Sequence, residues 1–352
     1  VKILSHTPMI HTFCLEIFVY KNIKYTTDKN LSKDPQLTRS FVEWFERNNH
    51  VGGQVDPLTG KSLRGTEEFW VCEGEFMLHW KGKGYKTILD VLLVKIPVQI
   101  LLNKEVESIR WRSQNTTDHN SLVQVRCKDG SLYQSKSVIV TLSIGVLKER
   151  HRQLFSPALP AEKVTSIDTL QLAVLDKIYI EFRKPWWPKT PANFTLLWRE
   201  EDKAKFSKDQ KWVTEVCGLQ SVDCQPNVLL AWIYGEGAKQ MEQASDKEVK
   251  AGVEKILDVL RKKFDVAPVK NILRSKWASD PLARGSYSYR SVATELRGGS
   301  AVTLSEPLYH GQFPVVCFAG EASSHHQHSA VHGAVEAGFR EADRLIQSFA
   351  KL

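Results

Sequence analysis

No apolar run in this sequence approaches the roughly 20 residues that a bilayer-spanning helix needs, so no membrane partner is expected. Its six cysteines (Cys14, Cys72, Cys127, Cys217, Cys224 and Cys317) form no C-x-x-C pair. Scattered thiols, several in apolar strand-like runs, argue for buried free cysteines in a reducing compartment rather than a disulfide framework. There is no internal repeat and no long low-complexity tract, which leaves ordinary packed domains. A concentrated basic patch is also missing. The net charge is +8, but Lys and Arg are spread along the chain beside Asp and Glu. That distribution reads as a solvated surface and predicts no nucleic-acid partner. The opening VKILSHTPMIHTFCLEIFVY lacks the order of a signal peptide, and with Val1 as its first residue the chain reads as a processed product or a fragment.

What is present is an ordinary globular profile, 42% hydrophobic and 25% charged over 352 residues, enough for two domains. A helix is expected from Asn30 to about Glu46, with Ser40 and Glu43 at capping-box spacing and Phe41, Trp44 and Phe45 on its apolar face. A Gly/Pro/Asn-rich loop follows over residues 48–66, and a short helix opens near Gly84 and is ended by Pro97. Strands are predicted at Val98–Leu102 and Val106–Arg112. Leu122–Cys127 and Leu132–Leu142 should form a hairpin around Lys128-Asp129-Gly130. The middle of the chain predicts strands at Lys177–Phe182, Phe194–Trp198 and Val228–Tyr234. A long helix begins at Ser245, with Glu248 at capping-box spacing and Val249, Val253, Ile256, Leu257, Leu260 and Phe264 on one face.

The chemistry-bearing stretches lie in the second half. Val315–Ala319 is an apolar run stopped by Gly320-Glu321. A His-rich connection leads from there into an amphipathic pattern, so a buried strand, a turn and a helix are expected over Phe318–Leu345. The free N–H groups and positive dipole end of such a helix favour an anionic or electron-rich ligand. Lys177 enters the apolar strand Ile178-Tyr179-Ile180, where an ammonium carries a desolvation cost unless it faces a cavity, water or an anion. His328 and His332 stand one helical turn apart, but no Cys or carboxylate completes a ligand set, so no metal is expected. In Arg284-Gly285-Ser286-Tyr287-Ser288-Tyr289, two aromatics two residues apart share one strand face.

The order of VIVTLSIGVLK (138–148), FSPALP (155–160), DKIYIEF (176–182) with PWW (185–187), WASDPLARGSYSY (277–289), and FAGEA, HGA, AG and READRL within 318–345 closely resembles the flavin-containing amine oxidases. The polyamine oxidase and spermine oxidase branch is the most similar, and the likeness runs from about Phe69 to Phe349. It implies a mixed α/β fold with α+β character, in which an FAD-binding domain built from discontinuous segments carries an inserted substrate domain. The corresponding division is a helical part of the substrate domain at 1–80, an FAD-domain segment at 81–149, the substrate domain at 150–275 and a C-terminal FAD segment at 276–352.

The resemblance also implies roles. Lys177 falls on the active-site lysine that holds a water against the flavin. Trp277 and Tyr287 fall beside the isoalloxazine ring. Glu321, after Gly320, falls near the ribityl and phosphate part. Val331 begins the helix whose backbone meets the pyrimidine edge, and Val106 contacts the adenine through its backbone. The implied activity is FAD-dependent oxidation of spermine, spermidine or acetylated forms to an imine, then hydrolysed, with dioxygen reduced to hydrogen peroxide. A monomer is expected. The ending Ala350-Lys351-Leu352 resembles a peroxisomal address, so the location is peroxisomal or cytoplasmic. Glu73 and Glu75 are weak candidates for attracting a polycation.

Two departures stand beside the resemblance. The sequence contains no G-x-G-x-x-G turn between a strand and a helix; Gly52-Gly53 and Gly82-x-Gly84 lack that setting. An N-terminal βαβ unit is therefore expected to be absent, and an FAD-deficient relic serving as an interaction module is one alternative. Ala330 stands where monoamine oxidases place a cage tyrosine, which argues for a longer substrate. Another flavin amine oxidase, such as a lysine demethylase, is a further alternative.

Overall fold

A computed structural model of the chain describes residues 34–49, 60–70, 73, 80–111, 122–187 and 192–351. The first described helix, α1 (Pro35–Asn49), starts on proline, whose missing N–H costs nothing at that position. Asp34 caps it by accepting the Leu37 N–H at 3.0 Å. Ser40 is therefore not a cap. Its hydroxyl lies inside the helix and donates to the carbonyls of Gln36 and Trp198, at 3.0 and 2.8 Å.

Fourteen strands follow among the described residues. A four-stranded sheet has the order β3-β2-β1-β5, from β1 (Val106–Trp111), β2 (Val123–Cys127), β3 (Leu132–Ser135) and β5 (Phe155–Ser156). The β2–β3 hairpin turns through Lys128-Asp129-Gly130 as the sequence predicts. The run expected as one strand, Leu132–Leu142, divides instead. At Ser137 the hydroxyl bonds the Pro314 carbonyl, and β4 (Val138–Val140) joins a different sheet. The predicted strand Val98–Leu102 is not formed; it is exposed and pairs with none of the described residues. Beyond β4, the helix α2 (Ile144–Leu154) is capped by the Ser143 hydroxyl.

A five-stranded antiparallel sheet has the order β11-β7-β10-β9-β8, from β7 (Leu175–Phe182), β8 (Asn193–Thr195), β9 (Gly218–Val222), β10 (Gln225–Tyr234) and β11 (Val269–Arg274). Burial along β7 alternates, as a pleated strand requires. Asp176, Ile178, Ile180 and Phe182 are fully buried, while Leu175, Lys177, Tyr179 and Glu181 form the half-buried opposite face. The buried face packs on α3 (Gly235–Gln243) and α4 (Asp246–Arg261), together with Trp187 and Trp212. The Ser245–Glu248 capping box is present, and Val249, Val253, Ile256, Leu257 and Leu260 are all buried. Each such side chain contributes roughly 1.5–3 kcal/mol of transfer free energy. Gly252 lets α4 approach this closely, because a Cβ there would lie 2.3 Å from the Trp212 ring.

The remaining strands organise the functional region. β6 (Gln171–Ala173) pairs with β12 (Tyr287–Tyr289). β13 (Leu308–His310), β14 (Phe313–Phe318) and β4 form a third sheet, in which β14 and β4 run parallel. β14 is followed by α5 (Val331–Phe349). Arg340 of α5 donates to the carbonyls of Phe318 (2.9 Å) and Ser323 (3.1 Å), which pins the helix to the end of its strand. A second core gathers around β1, β4 and β14, from Ile109 and Trp111 to Val316 and Phe318. Among the described residues no helix is long and apolar enough to cross a membrane. Leu352 lies outside the described residues.

Candidate functional site

The parallel strands β4 and β14 end side by side, and each hands the chain to a helix starting at the same edge. A crevice beyond the carboxyl ends of parallel strands is where open α/β sheets bind ligands. Here it is a cavity of about 350 Å³. Thr141 and Ser143 line one side, Gly320 and Glu321 the other, and Trp277 and Ser286 close it. Gly320 has φ of 112°, a conformation side chains rarely adopt, and a Cβ there would have only the Thr141 carbonyl, 4.0 Å away, as a neighbour. The glycine thus keeps open a space that a side chain would fill.

Glu321 lines this cavity, but its carboxylate is taken up within the protein. One oxygen accepts the Ser288 N–H (3.0 Å); the other accepts the Ser288 hydroxyl and the Ser329 N–H, both at 2.7 Å. It thereby ties β12 to the start of α5.

Next to the cavity is the half-buried face of the five-stranded sheet. Lys177 and Trp232 are cross-strand partners, and the Lys177 Nζ lies 4.7 Å from the centre of the Trp232 ring. Burial pushes the Lys177 ammonium below the ordinary lysine value, and the ring face opposes part of that shift. Tyr234, two residues along the same face, lies near Tyr287 of β12; burial raises both phenols, that of Tyr234 to about 12. Their hydroxyls stay protonated throughout the physiological range.

The segment 274–279 connects the lysine face to the cavity. Ser275 N donates to the Lys177 carbonyl (3.0 Å), and Lys177 N donates to the Ser275 hydroxyl (2.9 Å). Two residues on, Trp277 reaches the cavity wall. Gly285 N donates to the Trp277 carbonyl (2.9 Å), and Ser286 exchanges hydrogen bonds with Leu175. Beneath this segment lie two buried carboxyl groups, Asp176 and Glu242.

The structure therefore brings Trp277, Gly320 and Glu321 into one cavity and sets Lys177 and Tyr287 on the adjoining face. Val331 begins α5 with its side chain half exposed, and Ala334 is the part of that helix that lines the cavity. Val106 stands apart in the β1–β2 sheet, its carbonyl accepting Arg150 at 3.2 Å. The histidines tie the connection before α5 to residues 68–70. His326 stacks on Trp70 at 4.0 Å, His325 lies 3.2 Å from Glu68, and buried His328 meets Phe69 edge-on. No group of three potential metal ligands occurs among the described residues. Glu73 is exposed, and Glu75 lies outside the described residues. Trp232, Tyr234 and Glu242 were not singled out by the sequence. Trp232 and Tyr234 lie at every second position of a predicted strand that contains no other motif, and only its pairing with β7 shows what they face.

The family model described as flavin containing amine oxidoreductase matches residues 25–346. The chain is 31% identical over 350 residues to "Probable polyamine oxidase 5" of Arabidopsis thaliana, covering 89% of the chain and 63% of that protein. It is 32% identical over 283 residues to the human "Peroxisomal N(1)-acetyl-spermine/spermidine oxidase", covering 76% of the chain and 55% of that protein. It is also 30% identical over 255 residues to "Histone demethylase-like protein A" of Aspergillus fumigatus, covering 71% of the chain and 23% of that protein. The chain thus spans less than two thirds of the length of each of these relatives.

Proposed function

The chain belongs to the flavin containing amine oxidoreductase family, and on that premise we propose that it oxidises a polyamine, spermine or spermidine or an acetylated form, using FAD and dioxygen. The observation that carries the reading is the pairing of Lys177 with Trp232 beside a cavity walled by Trp277 and Gly320. The residues present fit a flavin. A glycine-lined crevice at two parallel strand ends suits a phosphate- and sugar-bearing chain, and the Trp277 indole in its wall suits a planar ring. Trp277, Tyr287, Gly320, Glu321 and the start of α5 at Val331 would hold it; Val106 is proposed for the adenine end. When bound there, FAD would supply the two-electron acceptor for a hydride from the carbon next to an uncharged amine, with dioxygen as the final oxidant.

This chain's own groups supply orientation, exclusion of water and proton handling. Trp232, Tyr234 and Tyr287 form an apolar wall for the methylene chain of a polyamine. Lys177, its ammonium destabilised by burial, is suited to orient a water and to release or take up a proton at Nζ. The core of residues 174–267 is proposed as the substrate-side unit, and the sheets of β1–β5 and β13–β14 as the cofactor side. The peroxisome, named for the human relative, is the proposed compartment, where peroxide is handled.

In the flavin-loaded protein, Lys177→Met should slow flavin reduction by spermine while leaving FAD bound. Stopped-flow reduction at the wild-type rate would remove the assignment. A methylated lysine peptide is the second reading, favoured by the fungal relative. Oxidation of that peptide, with spermine and acetylspermine inert, would replace the first.

A further inference from the structure

Asp176 precedes Lys177 and points to the opposite face of β7, into the core, with none of its surface exposed. Its Oδ1 accepts the Ser275 hydroxyl (2.6 Å) and the Trp277 N–H (3.3 Å). Its Oδ2 is buried and receives no N–H or O–H donor. The carboxyl of Glu242, in the last turn of α3, lies beside Asp176, the two acids holding neighbouring residues of one segment. Glu242 is itself saturated with donors: Ala278 N (2.8 Å) on one oxygen, and Ser279 N (2.7 Å) with the Ser279 hydroxyl on the other. Two neighbouring buried carboxyl groups, one with an oxygen that receives no donor, repel unless a proton is shared between them. Among the described residues no Lys, Arg or His forms an ion pair with either carboxyl, and Lys276, inside the segment, is exposed. Arg274 uses its guanidinium on the carbonyls of Met241 and Ala244 and on Asp246, and Lys177 lies on the other face of the strand.

The donor pattern places the charge. Glu242, with three donors, is the carboxylate, and Asp176, with a donorless oxygen, is the acid. Together they grip four of the five residues 275–279. That segment is bonded to the Lys177 backbone at one end and carries Trp277 to the cavity in the middle.

We propose that Asp176 and Glu242 are a positioning pair that shares one proton and sets the placement of Trp277 relative to Lys177. The positioning part rests on the amine-oxidase reading of Lys177; the shared proton does not.

The test uses the flavin-loaded protein and the variants Asp176→Asn, Asp176→Ala and Glu242→Gln. Asparagine offers Glu242 an N–H and keeps an oxygen for Ser275 and Trp277, so it reproduces the protonated acid. Infrared spectra at neutral pH should show a protonated-carboxyl band in the wild type that is lost in Asp176→Asn. Flavin reduction should stay within about threefold of wild type in Asp176→Asn and fall about 10²-fold in Asp176→Ala, mainly in kcat, as a misplaced aromatic predicts. Glu242→Gln should also lose rate, because its amide cannot accept from both Ala278 and Ser279. A band that survives in Asp176→Asn, or an asparagine variant as slow as the alanine one, overturns the proposal. If Asp176→Ala does not fold, Asp176→Asn and the infrared band still decide. If no form oxidises an amine, the functional reading fails, and the band still decides the proton.

Discussion

Lys177 and Trp232 face each other across β7 and β10, with the ammonium 4.7 Å from the indole centre. The contact does two opposing things. The ring's quadrupole favours the cation by about 0.5–2 kcal/mol, while the bulk of the indole excludes water that would favour it more. Lys177 consequently sits below the ordinary lysine value. Trp232→Leu keeps an apolar wall but removes the quadrupole. The pH midpoint of flavin reduction that reports Lys177 should move down by up to about one unit. An upward shift would show that desolvation by the indole is the larger effect.

His328 has a second pH signature. Burial, the first cause, pushes its pKa down from 6.5 to about 4, and it is 4% exposed. The folded state therefore refuses a proton that the unfolded chain accepts. For a group with a depressed pKa, the stability is present above 6.5 and is lost as pH falls to about 4. Asp176 works with the opposite sign. Its pKa is raised from 3.8 to about 7, chiefly by burial and then by Glu242, so its contribution is full below 3.8 and is lost as pH rises through about 7. Urea unfolding from pH 4 to 7.5 separates the two. His328→Asn should flatten the acid-side loss, by on the order of a few kcal/mol, and Asp176→Asn should remove the decline toward neutrality. If His328→Asn keeps the wild-type slope, the imidazole is not excluded from protonation.

These effects divide along the line between what local sequence encodes and what pairing encodes. The Ser245–Glu248 box, the Lys128-Asp129-Gly130 turn and the strand–turn–helix of 313–349 were legible because each is specified within a few residues. Ser40 and Glu43 have the same spacing as a true box, yet Asp34 and Pro35 start the helix earlier and leave Ser40 to bond Trp198 across the fold. The run Leu132–Leu142 has uninterrupted strand character, and only Pro314 of a distant strand shows that it changes sheet at Ser137. Lys177 was legible as an anomaly in an apolar strand. Its partners Trp232 and Tyr234, and the Asp176–Glu242 contact, depend on which strand lies beside β7, and no periodicity in one segment encodes its neighbour.

Gly145 tests the wall of the cavity. It lies in the first turn of α2, where a Cβ would fall 2.6 Å from the Arg284 Cβ, 2.8 Å from Leu172 Cδ1 and 2.9 Å from the Arg284 carbonyl. The last of these is backbone and cannot rotate away. Gly145→Ala gains helix propensity of up to about 1 kcal/mol but must displace the 284–286 segment, at a cost of about 1–3 kcal/mol. The expected result is a lower Tm together with weaker FAD retention, because Gly285 and Ser286 line the cavity. A raised Tm would mean that the segment yields freely.

Glu321 separates a structural carboxylate from a ligand-binding one. Its two oxygens accept three donors, from Ser288 and Ser329, and Ser329 adopts φ of 66°, a left-handed conformation that needs outside support. Glu321→Gln must turn an amide N–H toward one of those donors. If it faces the Ser329 N–H, two donors oppose each other, and the start of α5 loses its tether to β12. The loss should be about 1–3 kcal/mol in unfolding free energy, with FAD affinity falling in parallel, because Gly320 adjoins Glu321 and Ala334 lies on the helix that the tether holds, and both line the cavity. Titration of the apoprotein with FAD, beside denaturant unfolding of the same preparation, measures both. Weakened FAD binding with unchanged stability would instead make Glu321 a direct contact to the cofactor, and its three internal donors would then have to be released when FAD enters.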